Sequence, residues 1–201
     1  MPIITAVELS ENVTLHYWHI TETEQTLINL AHSNGIDLPS STDSKRLQQS
    51  IAWRLLVHNS VHQLNINYLN NKPVVDDGYI SVSHTNNYAF VLHAHSPCGI
   101  DAETIGNKAL RVKLKFCTAE ECALFDANEF TENEFYTLLW CVKEAMYKRY
   151  NDGYSFVNRL KINIINTQNN TVHAQITTPH TNESCTVHYL LQNNMYIAYI
   201  V

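Results

Sequence analysis

Hydrophobic and polar positions repeat along this chain with two different periods, and the switches between them predict its elements. Apolar side chains at strand spacing occupy residues 3–9 and 13–20, and a helix is expected from about Thr23 to His32, stopped at Gly35. A second helix follows the capping residues Ser40-Ser41-Thr42-Asp43. It carries Leu47, Ile51 and Leu55 at i, i+4 and i+8 as a buried stripe, with Arg46 and Arg54 off that stripe. Tyr79 to His95 reads as two apolar strands interrupted by turn-favouring residues at Ser83-His84-Thr85-Asn86-Asn87. Pro97 ends this pair, and Gly99-Ile100-Asp101-Ala102-Glu103 begins a new strand.

The second half continues with a basic loop and two Thr-x-x-Glu capping boxes, Thr118-Ala119-Glu120-Glu121 and Thr131-Glu132-Asn133-Glu134. The later box opens a long helix reaching about Tyr150. From Leu160 to Val201, β-branched and polar residues alternate across Asn169-Asn170 and Asn193-Asn194, which predicts a small antiparallel sheet. The result is an α+β chain of two halves meeting near residue 97, with no internal repeat, low-complexity run or Pro/Gly-rich linker.

Composition narrows this picture. At 201 residues and 45% apolar content the chain can bury a core without a disulfide or metal staple. Its five cysteines, Cys98, Cys117, Cys122, Cys141 and Cys185, show no Cys-x-x-Cys pairing, so neither a disulfide framework nor a zinc ribbon is indicated. Met1-Pro2-Ile3-Ile4 lacks the start of a signal peptide, and no apolar run approaches the ~20 residues of a membrane span. A cytoplasmic protein without a membrane partner is expected.

Charge adds a local contrast. The net charge is -6, and residues 1–44 hold Glu8, Glu11, Glu22, Glu24, Asp37 and Asp43 with neither Lys nor Arg. Residues 104–118 reverse this, with Lys108, Arg111, Lys113 and Lys115 and no acid. A positive patch on an acidic protein suits an acidic partner rather than bulk nucleic acid.

Three constellations carry candidate chemistry. Asp101 and Glu103, two apart on a strand, point to one face roughly 6.6 Å apart while Ile100 and Ala102 face the core. Their oxygen-only chemistry suits a hard cation such as magnesium. Within Trp140-Cys141-Val142-Lys143-Glu144-Ala145-Met146-Tyr147-Lys148, helical spacing aligns Trp140, Glu144 and Lys148 while Leu139, Val142 and Met146 form the apolar face. The third is Ser83-His84-Thr85 after Asn71-Lys72-Pro73. Each has an ordinary account taken singly: a solvated strand face, a surface Glu-Lys pair, a turn.

In series they are more specific. Lys72-Pro73, Ser83-His84, Gly99-Ile100-Asp101-Ala102-Glu103 and Trp140-Cys141-Val142-Lys143-Glu144-Ala145 with Lys148 resemble, in order and spacing, the motifs of the Sfp-type 4'-phosphopantetheinyl transferases. The resemblance runs from Lys45-Arg46 to Gly153, roughly half the chain. It implies a pseudo-twofold fold of two similar α+β halves with the active site in the cleft between them. Residues 1–97 would bind coenzyme A, and 98–201 would carry the metal site and the carrier-docking surface.

Position by position, the resemblance implies that Asp101, Glu103 and Glu144 hold one Mg2+ on the coenzyme A pyrophosphate. Lys148 would contact the phosphates, and Lys143 would add positive charge beside the cleft. Ser83 and His84 would serve the 3'-phosphate region, with Arg46 and Lys72 at the nucleotide end. The reaction implied is attack of an acyl or peptidyl carrier serine on the β-phosphate, with Glu144 taking the proton and 3',5'-adenosine diphosphate leaving. Lys108, Arg111, Lys113, Lys115 and Phe116 are expected to dock the carrier, and a monomer is expected. Two other readings stay open: a non-catalytic coenzyme A or carrier-binding module, and a metal-dependent phosphohydrolase.

The chain departs from the family pattern in three places. Thr85 stands where the family often has Ser; no Lys or Arg precedes Lys45, with His32 a partial substitute; and Arg149-Tyr150-Asn151-Asp152-Gly153 offers one glycine after Lys148.

Overall fold

Alternation in the first half produces strands as expected. The computed structural model describes residues 3–60, 65–69, 72–127, 129–150, 156–178 and 181–201. Asn71, Asn151-Asp152-Gly153 and Met1-Pro2 lie outside the described residues. The contacts gather into two units, the first ending at Cys98 and the second spanning Gly99–Ile200.

In the first unit, β1 (Ile3–Ser10) and β2 (Val13–His19) form a hairpin, followed by α1 (Glu24–Ser33) and α2 (Ser44–Ser60). Thr23 caps α1 through its side chain, and Gly35 takes the left-handed φ of +67 just beyond the end. Asp43 Oδ1 accepts from Arg46 N at 2.8 Å at the start of α2. Ile51 and Leu55 are buried against Trp18, Leu27 and Val91, with Leu47 packed at the margin of the same core.

The short strands β3 (Ile66–Leu69) and β4 (Lys72–Val75) pair with each other. Then β5 (Tyr79–Thr85) and β6 (Tyr88–Ala94) complete a four-stranded antiparallel sheet in the order β1-β2-β6-β5. Here the sequence expectation is corrected. Ser83, His84 and Thr85 are strand residues, Ser83 and Thr85 buried and His84 exposed, and only Asn86-Asn87 turns. Asn86 has φ 46, a conformation that Asn tolerates and most residues do not.

The second unit opens with β7 (Gly99–Thr104) and α3 (Asn107–Val112), followed by a 3-10 turn at Lys113–Lys115. The basic loop is therefore helical. Next come α4 (Ala119–Ala123), the long α5 (Glu132–Tyr150) and α6 (Phe156–Arg159). Both Thr-x-x-Glu boxes form: Glu121 N meets Thr118 Oγ1 at 3.3 Å, and Glu134 Oε2 accepts from Thr131 N at 2.8 Å.

The chain closes with β8 (Leu160–Asn166), β9 (Thr171–Thr177), β10 (Asn182–Gln192) and β11 (Met195–Ile200), giving an antiparallel sheet in the order β7-β11-β10-β9-β8. Asn193 and Asn194, with φ 51 and 58, make the two-residue hairpin turn of the right hand for twisted strands. The core of this unit is α5 on the sheet, with Phe135, Leu138, Leu139, Val142 and Met146 buried against Ile162, Val172, Val187 and Ala198. Among the described residues no helix is long and apolar enough to cross a membrane.

Candidate active site

Antiparallel pairing decides where the carboxylates of β7 point. Asp101 pairs with Ala198 and Glu103 with Tyr196, both on the sheet face that α5 covers. Ile100 and Ala102 are buried too, on the opposite face. Ile100 and Ala102 face inward as expected, and on the other face Asp101 is buried beneath the helix while Glu103 is half-buried.

Close approach of helix and strand makes that possible. A Cβ on Gly99 would collide with the carbonyl of Ala145 and lie 2.9 Å from Arg149 N, so only glycine lets β7 sit this near α5. Cys141 joins the same two elements: its Sγ donates to Asp101 O at 3.0 Å and to Tyr196 O at 3.5 Å. Burial, with the nearby Asp101 charge, pushes the Cys141 thiol well up, so it acts as a packed donor and not as a nucleophile.

Four charged side chains then meet around this contact, with a fifth at its rim. Lys148 Nζ donates to Asp101 Oδ1 at 2.7 Å and to Ile100 O at 2.9 Å. Lys108 Nζ reaches Glu103 Oε1 at 2.9 Å, but its side chain is 79% exposed. Glu144 is half-buried, and its carboxyl is held above the usual carboxylate range by burial first and then by the Asp101 charge, with Lys148 pulling the other way. These two lysine pairs differ in strength. The pair at Lys108 is of the surface kind, worth about 0–1 kcal/mol, whereas the one at Lys148, 27% and 10% exposed, is screened less. Lys108 is the easier of the two to displace.

The donor set is chemically suited to a hard cation: three carboxylates from β7 and α5, close enough that two of them raise the pKa of the third. Among the described residues, however, no group of three or more His, Cys, Asp or Glu side chains is arranged so that it could hold a metal ion. Binding one here requires side-chain rearrangement at the lysine-paired carboxylates.

Lys143 departs from expectation. Its side chain is fully buried, with Nζ donating to Glu121 Oε2 at 2.7 Å and to Phe116 O at 2.6 Å, so it adds no accessible charge for a coenzyme. Phe116 is likewise fully buried, edge-on to Trp140 with ring centroids 5.1 Å apart, and its side chain is not available to a partner. Lys113 is partly committed, 4.5 Å over the Tyr136 ring and 3.7 Å from Glu132. The exposed part of the basic segment is Lys108, Arg111 and Lys115, with Leu114 85% exposed between them. Beside it, an apolar cavity of about 250 Å³ lies between Glu103, Lys108, Val112 and Trp140.

In the first unit, a polar cavity of about 360 Å³ is lined by His19, Thr21, Lys45, Gln48, Gln49 and Asn86 among others. Lys45, not the neighbouring Arg46, supplies its positive charge. The signal was readable: Lys45, Gln48 and Gln49 recur at i, i+3 and i+4 and so share a helix face, which Arg46 does not. Arg46 is exposed, Lys72 is half-buried on β4, and Ser83 and His84 lie on opposite faces of β5.

Residues 97–200 match the family described as ACPS, the 4'-phosphopantetheinyl transferase superfamily. The match spans Asp101, Glu103, Glu144 and Lys148. No curated protein matches the chain.

Proposed function

Because the chain belongs to the 4'-phosphopantetheinyl transferase superfamily, we propose that it is an Sfp-type enzyme that moves phosphopantetheine from coenzyme A onto a serine of an apo acyl or peptidyl carrier protein. One observation supports this reading above the others: Asp101, Glu103 and Glu144, from a strand and a helix welded by Gly99 and Cys141, share one electrostatic neighbourhood with Lys148.

Asp101, Glu103 and Glu144 would hold Mg2+, which when bound neutralises charge on the pyrophosphate. Lys148, fixed against β7, brings a positive charge to the phosphate oxygens. Glu144 is the base. Its place on α5, beside the carboxylates of β7, is what suits it to take the serine proton directly or through a water. The serine oxygen bonds to the β-phosphorus as the bridging P–O bond breaks, 3',5'-adenosine diphosphate departs, and the proton ends on Glu144 directly or through a water.

In this reading Lys45 lines the place for a nucleotide phosphate, with Lys72 and the exposed His84 the other coenzyme A contacts; Ser83, buried on the other face of β5, supports the strand, and the exposed Arg46 lies outside the cavity lining. Carriers dock on Lys108, Arg111 and Lys115. Intact-mass spectrometry of an apo-carrier incubated with the protein, coenzyme A and magnesium tests it. A mass gain of one phosphopantetheine arm is expected, and Glu144→Gln should slow it by about 10²–10⁴-fold with the fold retained. An unmodified carrier with intact coenzyme A would instead indicate a binding module, and hydrolysed coenzyme A a phosphohydrolase.

A further inference from the structure

Lys143 and Glu144 are neighbours on α5, and consecutive helical residues are splayed by about 100°. They therefore cannot serve the same side. Lys143 points into the protein, where its ammonium meets Glu121, also fully buried. The Glu121 carboxylate does more than balance that charge: Oε2 also accepts from Thr118 N at 2.9 Å, and Oε1 accepts from Ile162 N at 2.8 Å. With the bond from Lys143 Nζ to Phe116 O, this one buried ion pair ties α5 to the end of the basic segment, to the cap of α4 and to the start of β8.

Stability alone is a poor reason for such a bridge. Buried ion pairs gain little over a well-packed apolar pair of the same volume, because desolvation cancels most of the attraction. What an ion pair adds is direction and fixed length. The segment ending at Phe116 is held to α5 twice more, by the Phe116 ring on Trp140 and by Lys113 on Tyr136. Trp140 is one helical turn before Glu144.

We propose that Lys143 is a positioning residue, whose buried bridge to Glu121 and Phe116 holds the basic segment in register with the helix that carries Glu144 and Lys148. A carrier seated on Lys108, Arg111 and Lys115 then presents its serine at a fixed distance from Glu144. The proposal rests on the transferase reading and gives the motif lysine a role that does not involve touching coenzyme A.

Two variants of the full chain test it. Glu121→Gln with Lys143→Met removes both charges together, and Glu121→Asp keeps both while shortening the bridge by one methylene. For each, the thermal midpoint, coenzyme A affinity by calorimetry, and kcat and KM toward an apo-carrier are measured at a temperature where the variant is folded. Expected is a kcat about tenfold or more lower in the double variant and lower by a smaller factor in Glu121→Asp, since a displacement of about 1 Å costs far more in rate than in binding. Coenzyme A affinity should stay within about twofold of wild type.

A lowered midpoint with wild-type kcat would reduce the bridge to scaffolding and overturn the proposal. Weakened coenzyme A affinity with kcat intact would put the ammonium charge on the ligand, and would overturn it equally. Should the double variant not fold, Glu121→Asp decides alone. A wild-type protein that fails to modify the carrier marks the failure of the transferase reading, and the proposal falls with it. That outcome is distinct from active wild type beside equally active variants.

Discussion

His16 shows how a single residue can record its surroundings in the pH dependence of the whole protein. It sits on β2 with 6% exposure, and its Nδ1 has no hydrogen-bond partner among the described residues. Burial first, and the His93 charge second, lower its pKa below the ordinary 6.5. The folded state therefore binds this proton less readily than the unfolded chain, and stability rises with pH across the interval between the two values. Its contribution is fully present above about 6.5 and is lost as pH falls from there toward the depressed folded value. His16→Leu should remove that loss, so the difference in denaturation midpoint between variant and wild type should grow in favour of the variant from pH 7 to pH 5. A difference that stays constant with pH would mean that His16 titrates normally.

At the scale of elements, the contact of β7 with α5 is the one on which the site depends. Adding a methyl at Gly99 must push backbone against backbone at Ala145 and Arg149, where no flexible side chain can give way. Gly99→Ala should cost about 3 kcal/mol or more in urea unfolding, and should depress phosphopantetheine transfer as well, because the displaced strand carries Asp101 and Glu103. A wild-type midpoint would show that the strand moves freely.

Much of this architecture was legible in advance. Strand spacing marked β1 and β2, alternation marked the closing antiparallel sheet from Leu160 onward, Thr-x-x-Glu marked two helix starts, and Asn193-Asn194 marked a turn that needs left-handed backbone. What stayed hidden has physical reasons. The helix α3 is six residues long and begins at Gly106 with no side-chain cap, so neither periodicity nor capping announces it. Ser83-His84-Thr85 has turn chemistry but obeys the sheet, because its pairing with β6 satisfies the backbone better than a local turn would. The partner of Lys143 lies 22 residues away, and nothing in a local pattern distinguishes a lysine that will be buried and paired from one at a surface.

For the whole molecule, the proposed reaction divides its binding tasks between the two units, and that division can be measured. Lys45 lines the polar cavity of the first unit, while Arg111 and Lys115 are exposed in the second, beyond the partly committed Lys113. If a nucleotide phosphate sits at Lys45, reversing its charge to Glu should raise KM for coenzyme A about tenfold and leave KM for the carrier unchanged. Arg111→Glu with Lys115→Glu should do the opposite, raising carrier KM with coenzyme A affinity intact. The second effect should shrink as salt is added, since exposed charges more than about 8 Å apart are screened at physiological ionic strength. Steady-state kinetics with each substrate varied in turn separate the two. Equal losses for both substrates in either variant would mean that the residues act through general destabilisation, and the assignment of nucleotide and carrier to different units would have to be withdrawn.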